Sequence, residues 1–289
     1  MNQNQKSMKT NVDIKKLIRI ADSYGVKPID GGYIRLSDDG VTSYEEDGTV
    51  RFNFDWNKDS HKDLVRLTEQ KPKEVMRDGN VYYFGYEWLG KKDVVQAAFF
   101  KALKGFDNKH PNTQNFEKFI IEPLNALSEK AQLHNVGCVI YPQSSSKLNR
   151  YMLKKLHPIF LDPNFETYEA VKRAVTKVNF DFKSFTITNY VEDPPTPKEV
   201  NQMKLKAKNW ENNTIDIKKI PEKYRPYFRD FLKLPKEVQS LVGAESVLVV
   251  DDILSTGTTI KEMIRLIRVV NDICKIYVYS ILGDYKKDF

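Results

Sequence analysis

Apolar and polar positions between residues 246 and 289 fall into blocks that read as strand, turn, helix and strand. Val247-Leu248-Val249-Val250 is an unbroken apolar run, the pattern of a strand buried on both faces and so of a parallel sheet covered by helices. Ile260, Met263, Ile264, Ile267 and Val270 then recur at helical spacing, and Ile276 to Leu282 supplies a last strand. An earlier unit repeats this order: the apolar run Val136 to Tyr141, a polar turn from Pro142 to Asn149, and a helix through Leu156. Helical periodicity also marks Val12 to Tyr24, a short stretch near Lys62 to Glu69, Val94 to Leu103, Phe116 to Leu127 and Tyr168 to Val178, while Ser184 to Val191 is strand-like. Pro123 kinks or splits the helix that contains it.

The N-terminal region has a different texture. Tyr33 to Leu36, Val41 to Tyr44 and Val50 to Phe54 alternate and are separated by Ser-Asp-Asp-Gly and Glu-Glu-Asp-Gly turns, which predicts hairpins. We therefore divide the chain into a small β-rich appendage over residues 1–80 and an α/β core over residues 81–289. The aromatic run Val81 to Trp88 could stack on a base, but it reads more readily as core packing or an interface. Pro194, Pro195 and Pro197 open a Lys-rich stretch with a helix near Glu199 to Glu211, predicting a helical insertion at about 192–240.

Candidate chemistry concentrates at the end of the first apolar run. Asp251 and Asp252 fall where ligands of parallel sheets bind, at the carboxyl ends of strands. Ser255-Thr256-Gly257-Thr258-Thr259 follows: Gly257 permits a tight turn, and hydroxyls with the N–H groups of a helix N-terminus make a cradle for phosphate. Paired acids beside an anion cradle suit a ligand carrying both a diol and a phosphate, such as a ribose 5-phosphate group. Read blandly, the same residues are an acid pair and a helix cap. A phosphoacceptor receiver domain needs about a hundred further residues after its first acids, and the stretch from Ile253 to Phe289 is too short. No G-x-x-x-x-G-K-[ST] pattern occurs, which excludes a P-loop.

Val247 to Thr259 resembles the signature loop of the type I phosphoribosyltransferases: four apolar residues, two acids, two apolar residues, a small polar residue, Thr, Gly, any residue and Ser/Thr. The resemblance implies that family's α/β fold, a parallel sheet with flanking helices, here with the N-terminal extension and the insertion added. It implies that phosphoribosyl pyrophosphate (PRPP) is the substrate. Asp251 and Asp252 would face the ribose hydroxyls as the catalytic pair, and Ser255, Thr256, Gly257, Thr258 and Thr259 would hold the 5-phosphate. An earlier loop of the family binds pyrophosphate. Ser144, Ser145, Ser146 and Lys147 stand where that loop belongs, and three serines with a lysine before a helix suit the anion. A serine-rich turn capping the helix is the other reading of these residues, and the Gly that some relatives carry there is missing.

Transfer of a phosphoribosyl group requires no protein nucleophile, so the scattered histidines His61, His110, His134 and His157 are no obstacle. The resemblance implies Mg²⁺ held mostly by pyrophosphate oxygens, hydroxyls and water, with no direct side-chain ligand assigned. Relatives that salvage hypoxanthine and guanine carry Asp where this chain has Ser255, which argues against a 6-oxopurine acceptor without establishing a pyrimidine. The expectation is a nucleotide-salvage type of transferase with a nitrogen acceptor; a PRPP sensor without turnover is the alternative.

Charge adds one more option. The formal net charge of +7 admits nucleic-acid binding, but the lysines are scattered and no nucleic-acid motif accompanies them. Cys138 and Cys274 sit in apolar runs without metal-ligand spacing and read as buried thiols. No signal peptide or long apolar segment is found, so the expectation is a cytoplasmic protein without a membrane span. Homodimer formation is left open.

Overall fold

The computed structural model describes residues 28–29, 33–35, 42–44, 50–52, 72–87, 103, 113–130, 133, 135–144, 147–159, 165–173, 179–180, 196–208, 217, 220–221, 224–225, 228–254 and 257–283. The chain divides into two units: Met1–Leu67 with Leu89–Phe119, and Thr68–Trp88 with Ile120–Phe289. In the first, β1 (Pro28–Ile29), β2 (Tyr33–Arg35), β3 (Thr42–Tyr44) and β4 (Val50–Phe52) form a four-stranded sheet in chain order. Every neighbouring pair is antiparallel, with Ile34 opposite Tyr44 and Ser43 opposite Arg51, as the hairpin signals predict.

The second unit is built on a seven-stranded sheet. Its strands are β5 (Lys73–Arg77), β6 (Asn80–Glu87), β7 (Cys138–Pro142), β8 (Glu166–Lys172), β11 (Leu232–Lys233), β12 (Ser246–Leu254) and β13 (Lys275–Gly283), in the order β11-β8-β7-β12-β13-β6-β5. The five central strands are parallel and the two edges are antiparallel. A separate two-stranded pair joins β9 (Asn179–Phe180) to β10 (Phe228–Arg229). The helices are α1 (Thr113–Ser128), of which residues 120–128 belong to this unit, α2 (Leu148–Leu156), α3 (Pro197–Lys208), α4 (Gln239–Gly243) and α5 (Thr258–Val270). Pro123 lies inside an unbroken α1.

The path of the chain decides where the helices go. From β7 the chain crosses to β8 on one side; from β12 it crosses to β13 on the other. Right-handed crossovers in opposite directions put α2 and α5 on opposite faces of the sheet. Side-chain alternation agrees. Val247 and Val249 of β12 share a core cluster with Ile260, Met263 and Ile267 of α5 and with Cys138 and Ile140 of β7. Leu248, Val250 and the buried α2 residues Leu148, Met152 and Leu156 are outside that cluster, and α2 packs against β12.

Three stretches differ from the sequence reading. Residues 73–77, read as part of the appendage, form β5 at an edge of the central sheet, paired antiparallel with β6. Residues 168–172 are not helical: they lie in β8, paired in parallel with β7 from Cys138↔Glu166 to Pro142↔Ala170. Tyr168 and Ala170 are buried on alternate positions, so period-two burial against the sheet wins over the weaker helical spacing. Residues 228–233, within the stretch read as a helical insertion, instead supply β10 and β11, and β11 forms one edge of the central sheet. The helix expected there is α3. The helices expected over 12–24, 62–69 and most of 94–103, and the strand expected over 184–191, lie outside the described residues.

Tyr82, Tyr83, Phe84 and Tyr86 of the aromatic run are at most 4% exposed, so β6 uses its rings to fill the core and offers no base-stacking platform. Gly85 is the gap among them. A Cβ there would stand 2.9 Å from the Ile281 carbonyl oxygen and 3.1 Å from Pro123 Cβ, so only glycine lets α1 and β13 approach so closely. Cys138 and Cys274 are both buried and free, and burial pushes the Cys138 thiol up to about 12. Neither is expected to react with iodoacetamide at about pH 8 in the native protein, where thiolate is scarce, and both should react in denaturant. Fast labelling of native protein would contradict this packing.

Candidate functional site

β12 is buried along nearly its full length because parallel neighbours flank it and helices cover it. Its pairing with β7 ends at Val249↔Ile140, whereas its pairing with β13 continues to Leu254↔Gly283. Asp251 and Asp252 fall in this last stretch, at 8% and 2% exposure, where β7 no longer pairs with β12. Local bonds fix the two carboxylates. The Asp252 N–H donates to Asp251 Oδ1 at 2.9 Å, and the Ile253 N–H donates to Asp252 Oδ1 at 2.8 Å. Ser280 Oγ, fully buried on β13, donates to the Leu282 carbonyl at 2.7 Å and reaches the Asp252 carbonyl at 3.3 Å. Asp252 Oδ2 is buried without a hydrogen-bond partner. Leaving such an acceptor empty costs on the order of 1–3 kcal/mol or more, and unpaid polarity of this kind collects where a ligand completes it.

Beyond β12, Gly257 stands at the N-cap of α5 with φ +67°, a left-handed conformation that glycine adopts without strain. Gly257 has no side chain with which to cap this helix start. Thr258 is buried and Thr259 half-buried in its first turn; Ser255 and Thr256 lie outside the described residues. The helix is locked behind the turn by charge. Arg265 makes two bonds to the buried Glu262, Nε–Oε2 at 3.0 Å and Nη2–Oε1 at 2.9 Å, and a third from Nη2 to Asp230 Oδ1 at 2.6 Å.

The neighbouring strand end carries the earlier loop. After β7, the Gln143 N–H still donates to the Ala170 carbonyl at 2.8 Å, and Gln143 Oε1 accepts from the Lys172 N–H at 3.0 Å. Gln143 therefore extends the β8 pairing, and the loop proper starts at Ser144, which is half-buried. Ser145 and Ser146 lie outside the described residues. Lys147 is exposed and occupies the N-cap of α2, where its own side chain makes no cap bond. Two helix starts thus follow two adjacent parallel strands, β7 and β12, at the point where the chain turns outward in opposite directions. That is the switch point at which open α/β sheets bind ligands, and each helix start presents N–H donors and partial positive charge.

No protein-family model and no curated protein matches this chain. Among solved structures it is similar to a hypoxanthine phosphoribosyltransferase from Staphylococcus aureus, at 13% identity and a TM-score of 0.30, over 60% of this chain and 67% of that one. So loose a superposition adds nothing to what the residues themselves say. Among the described residues no group of three or more His, Cys, Asp or Glu side chains converges on a cation position, and no helix is long and apolar enough to cross a membrane.

Sequence reasoning passed over Asn149, Ser280 and the Glu262–Arg265–Asp230 network. Asn149 is 1% exposed, beside the apolar stripe Leu148, Met152 and Leu156, and neither its Nδ2 nor its Oδ1 has a partner. A polar residue on the sheet-facing stripe of a helix was the available signal. Ser280 and Asp230 carried none, because their partners are remote in sequence.

Proposed function

We propose that this chain binds PRPP at the carboxyl edge of β7 and β12 and transfers its phosphoribosyl group to a nitrogen acceptor, releasing pyrophosphate. The observation that carries the reading is the buried acid pair, with Asp252 Oδ2 unpartnered, at the end of a parallel strand between two helix starts on opposite faces of the sheet. A ligand with a phosphate at one end, a pyrophosphate at the other and a diol between them matches that charge pattern.

In this reading the start of α5, with Ser255 to Thr259, holds the 5-phosphate, and the start of α2, with Ser144 to Lys147, holds the pyrophosphate. Asp251 and Asp252 orient the ribose hydroxyls and offset the positive charge that develops at C1. The C1–oxygen bond breaks with its electron pair leaving on pyrophosphate, the acceptor nitrogen bonds to C1, and the nitrogen's proton passes to solvent. Alignment of the acceptor with C1 supplies the rest of the rate. The two carboxylates are hard oxygen donors of the class Mg²⁺ takes, so Asp251 and Asp252 fit the ion and would help to hold it beside the ribose. When bound, it would neutralise charge on the departing pyrophosphate.

The test is pyrophosphate release from PRPP with Mg²⁺ over a panel of purine, pyrimidine and nicotinate-type acceptors, with calorimetry of PRPP binding alongside. Acceptor-dependent release identifies the transferase and its acceptor class. Binding without release on any acceptor identifies a PRPP sensor instead. Absence of binding overturns the reading.

A further inference from the structure

We propose that Asn149, in the first turn of α2, reads a sugar hydroxyl together with Asp252 and so sets the specificity of the site for a ribose over a deoxygenated sugar phosphate. The inference rests on the reading of the site as one for a phosphorylated ribose. Both side chains are buried, Asn149 at 1% and Asp252 at 2% exposure, and both hold unpaired polar atoms: Asn149 Nδ2 and Oδ1, and Asp252 Oδ2.

The fold places them on the same face of the sheet. α2 packs against β12, on the face opposite α5. Alternation along β12 sends Asp252 to that same face with Leu248 and Val250, which lie outside the α5-side cluster, and Leu254 at the strand's end returns to that cluster. α2 returns antiparallel to the strands, so its first turn lies over the strand ends, where Asp252 is two residues from the end of β12. Asn149 belongs to the buried side of that turn, while Arg150 beside it is exposed. The chain thus offers an amide donor and a carboxylate acceptor from two elements that face each other, neither satisfied by protein.

The chemistry of the gap selects the ligand group. An amide N–H needs an acceptor and an ionised carboxylate needs a donor, and a hydroxyl is both at once. A phosphate oxygen would satisfy the amide N–H and repel the carboxylate; an ammonium would satisfy the carboxylate and leave Asn149 Nδ2 without an acceptor. A sugar hydroxyl donates to Asp252 Oδ2 and accepts from Asn149 Nδ2. Asn149 is closed from solvent in the free chain, so reading the hydroxyl requires its side chain to turn toward the strand ends. A site that bonds a substrate hydroxyl in this way rejects the analogue lacking it, because the buried groups are then left unpaired.

Calorimetry of ribose 5-phosphate against 2,3-dideoxyribose 5-phosphate tests this, on the full chain and on Asn149→Leu. The leucine has similar volume and no polar atoms, so it removes an unsatisfied group from the free protein. We expect Asn149→Leu to unfold at the same or higher temperature than wild type, and to lower the wild-type preference for ribose 5-phosphate by about tenfold. The affinity for the dideoxy analogue should be unchanged. Asn149→Ser, which restores a donor and acceptor, should recover part of the preference. If Asn149→Leu lowers the unfolding temperature and leaves the preference intact, Asn149 serves the fold, bonded through water, and the proposal fails alone. If wild type binds neither sugar phosphate, the site reading fails and takes this proposal with it.

Discussion

Changing Asp251 and Asp252 together to asparagine is expected to lower PRPP-dependent pyrophosphate release by roughly 100- to 10,000-fold, the equivalent of two charge-assisted hydrogen bonds at about 1.5–3 kcal/mol each. The substitution is chosen to spare the fold. Asp251 Oδ1 and Asp252 Oδ1 each accept one backbone N–H, at 2.9 and 2.8 Å, and an asparagine oxygen accepts the same bonds. What changes is the second position of each side chain. At Asp252 an acceptor that no protein group occupies becomes an amide donor, and the local negative charge disappears. A ribose hydroxyl that donated there loses its acceptor, and the positive charge developing at C1 loses its counter-charge. Thermal unfolding should stay within a few degrees of wild type. If the variant folds and retains more than a tenth of wild-type release, the carboxylates have no part in the reaction, and the site must be sought elsewhere in the chain.

The second large effect concerns the support behind the site. Arg265→Met should cost about 2–4 kcal/mol of stability, read as a lowered urea midpoint; a fully buried pair would cost more, and the exposed part of the arginine softens the loss. Arg265 is 36% exposed, Asp230 23% and Glu262 not at all, so the loss falls on Glu262, left charged and without its bidentate partner. A double variant tests that explanation. Glu262→Met with Arg265→Met removes the stranded charge and should recover at least half the loss, a coupling that independent sites would not show. Additive losses would mean that the arginine stabilises through its packing alone. Because the network ties α5 to the segment before β11, its loss should also weaken ligand binding at the start of that helix.

The unit most legible in the sequence was the run from Val247 to Val270. Strand, turn and helix there are contiguous, and each signal is local: an apolar run for burial on both faces, a glycine for a left-handed turn, a helical stripe for the covering face. Gly257 at φ +67° and the buried stripe Ile260, Met263 and Ile267 follow those signals. The reading lost its hold where a remote partner decides the structure. Tyr168 to Lys172 has spacing that serves a helix as well as a strand, and only β7 alongside makes it a strand. The serines expected to act on pyrophosphate precede a helix whose N-cap is Lys147, a boundary that turn composition does not resolve. Ser280 bears on Asp252 from 28 residues away, and α2, which carries the buried Asn149, packs on β12 across a crossover that the pattern of a single helix does not reveal.

The sheet order has a consequence for how the protein is made. β6 is the first of the parallel strands in the chain, yet its parallel neighbour is β13, the last, with Tyr82 opposite Val278. On the ribosome, the hairpin of β5 and β6 must therefore wait for about 200 further residues before its inner edge is covered, and pairings that distant form slowly. Through that interval it carries Tyr82, Tyr83, Phe84 and Tyr86, rings that the finished sheet hides almost completely. The nascent chain is thus at its most adhesive in its middle age, and a chaperone that binds aromatic strands has most to do on this protein before β13 emerges.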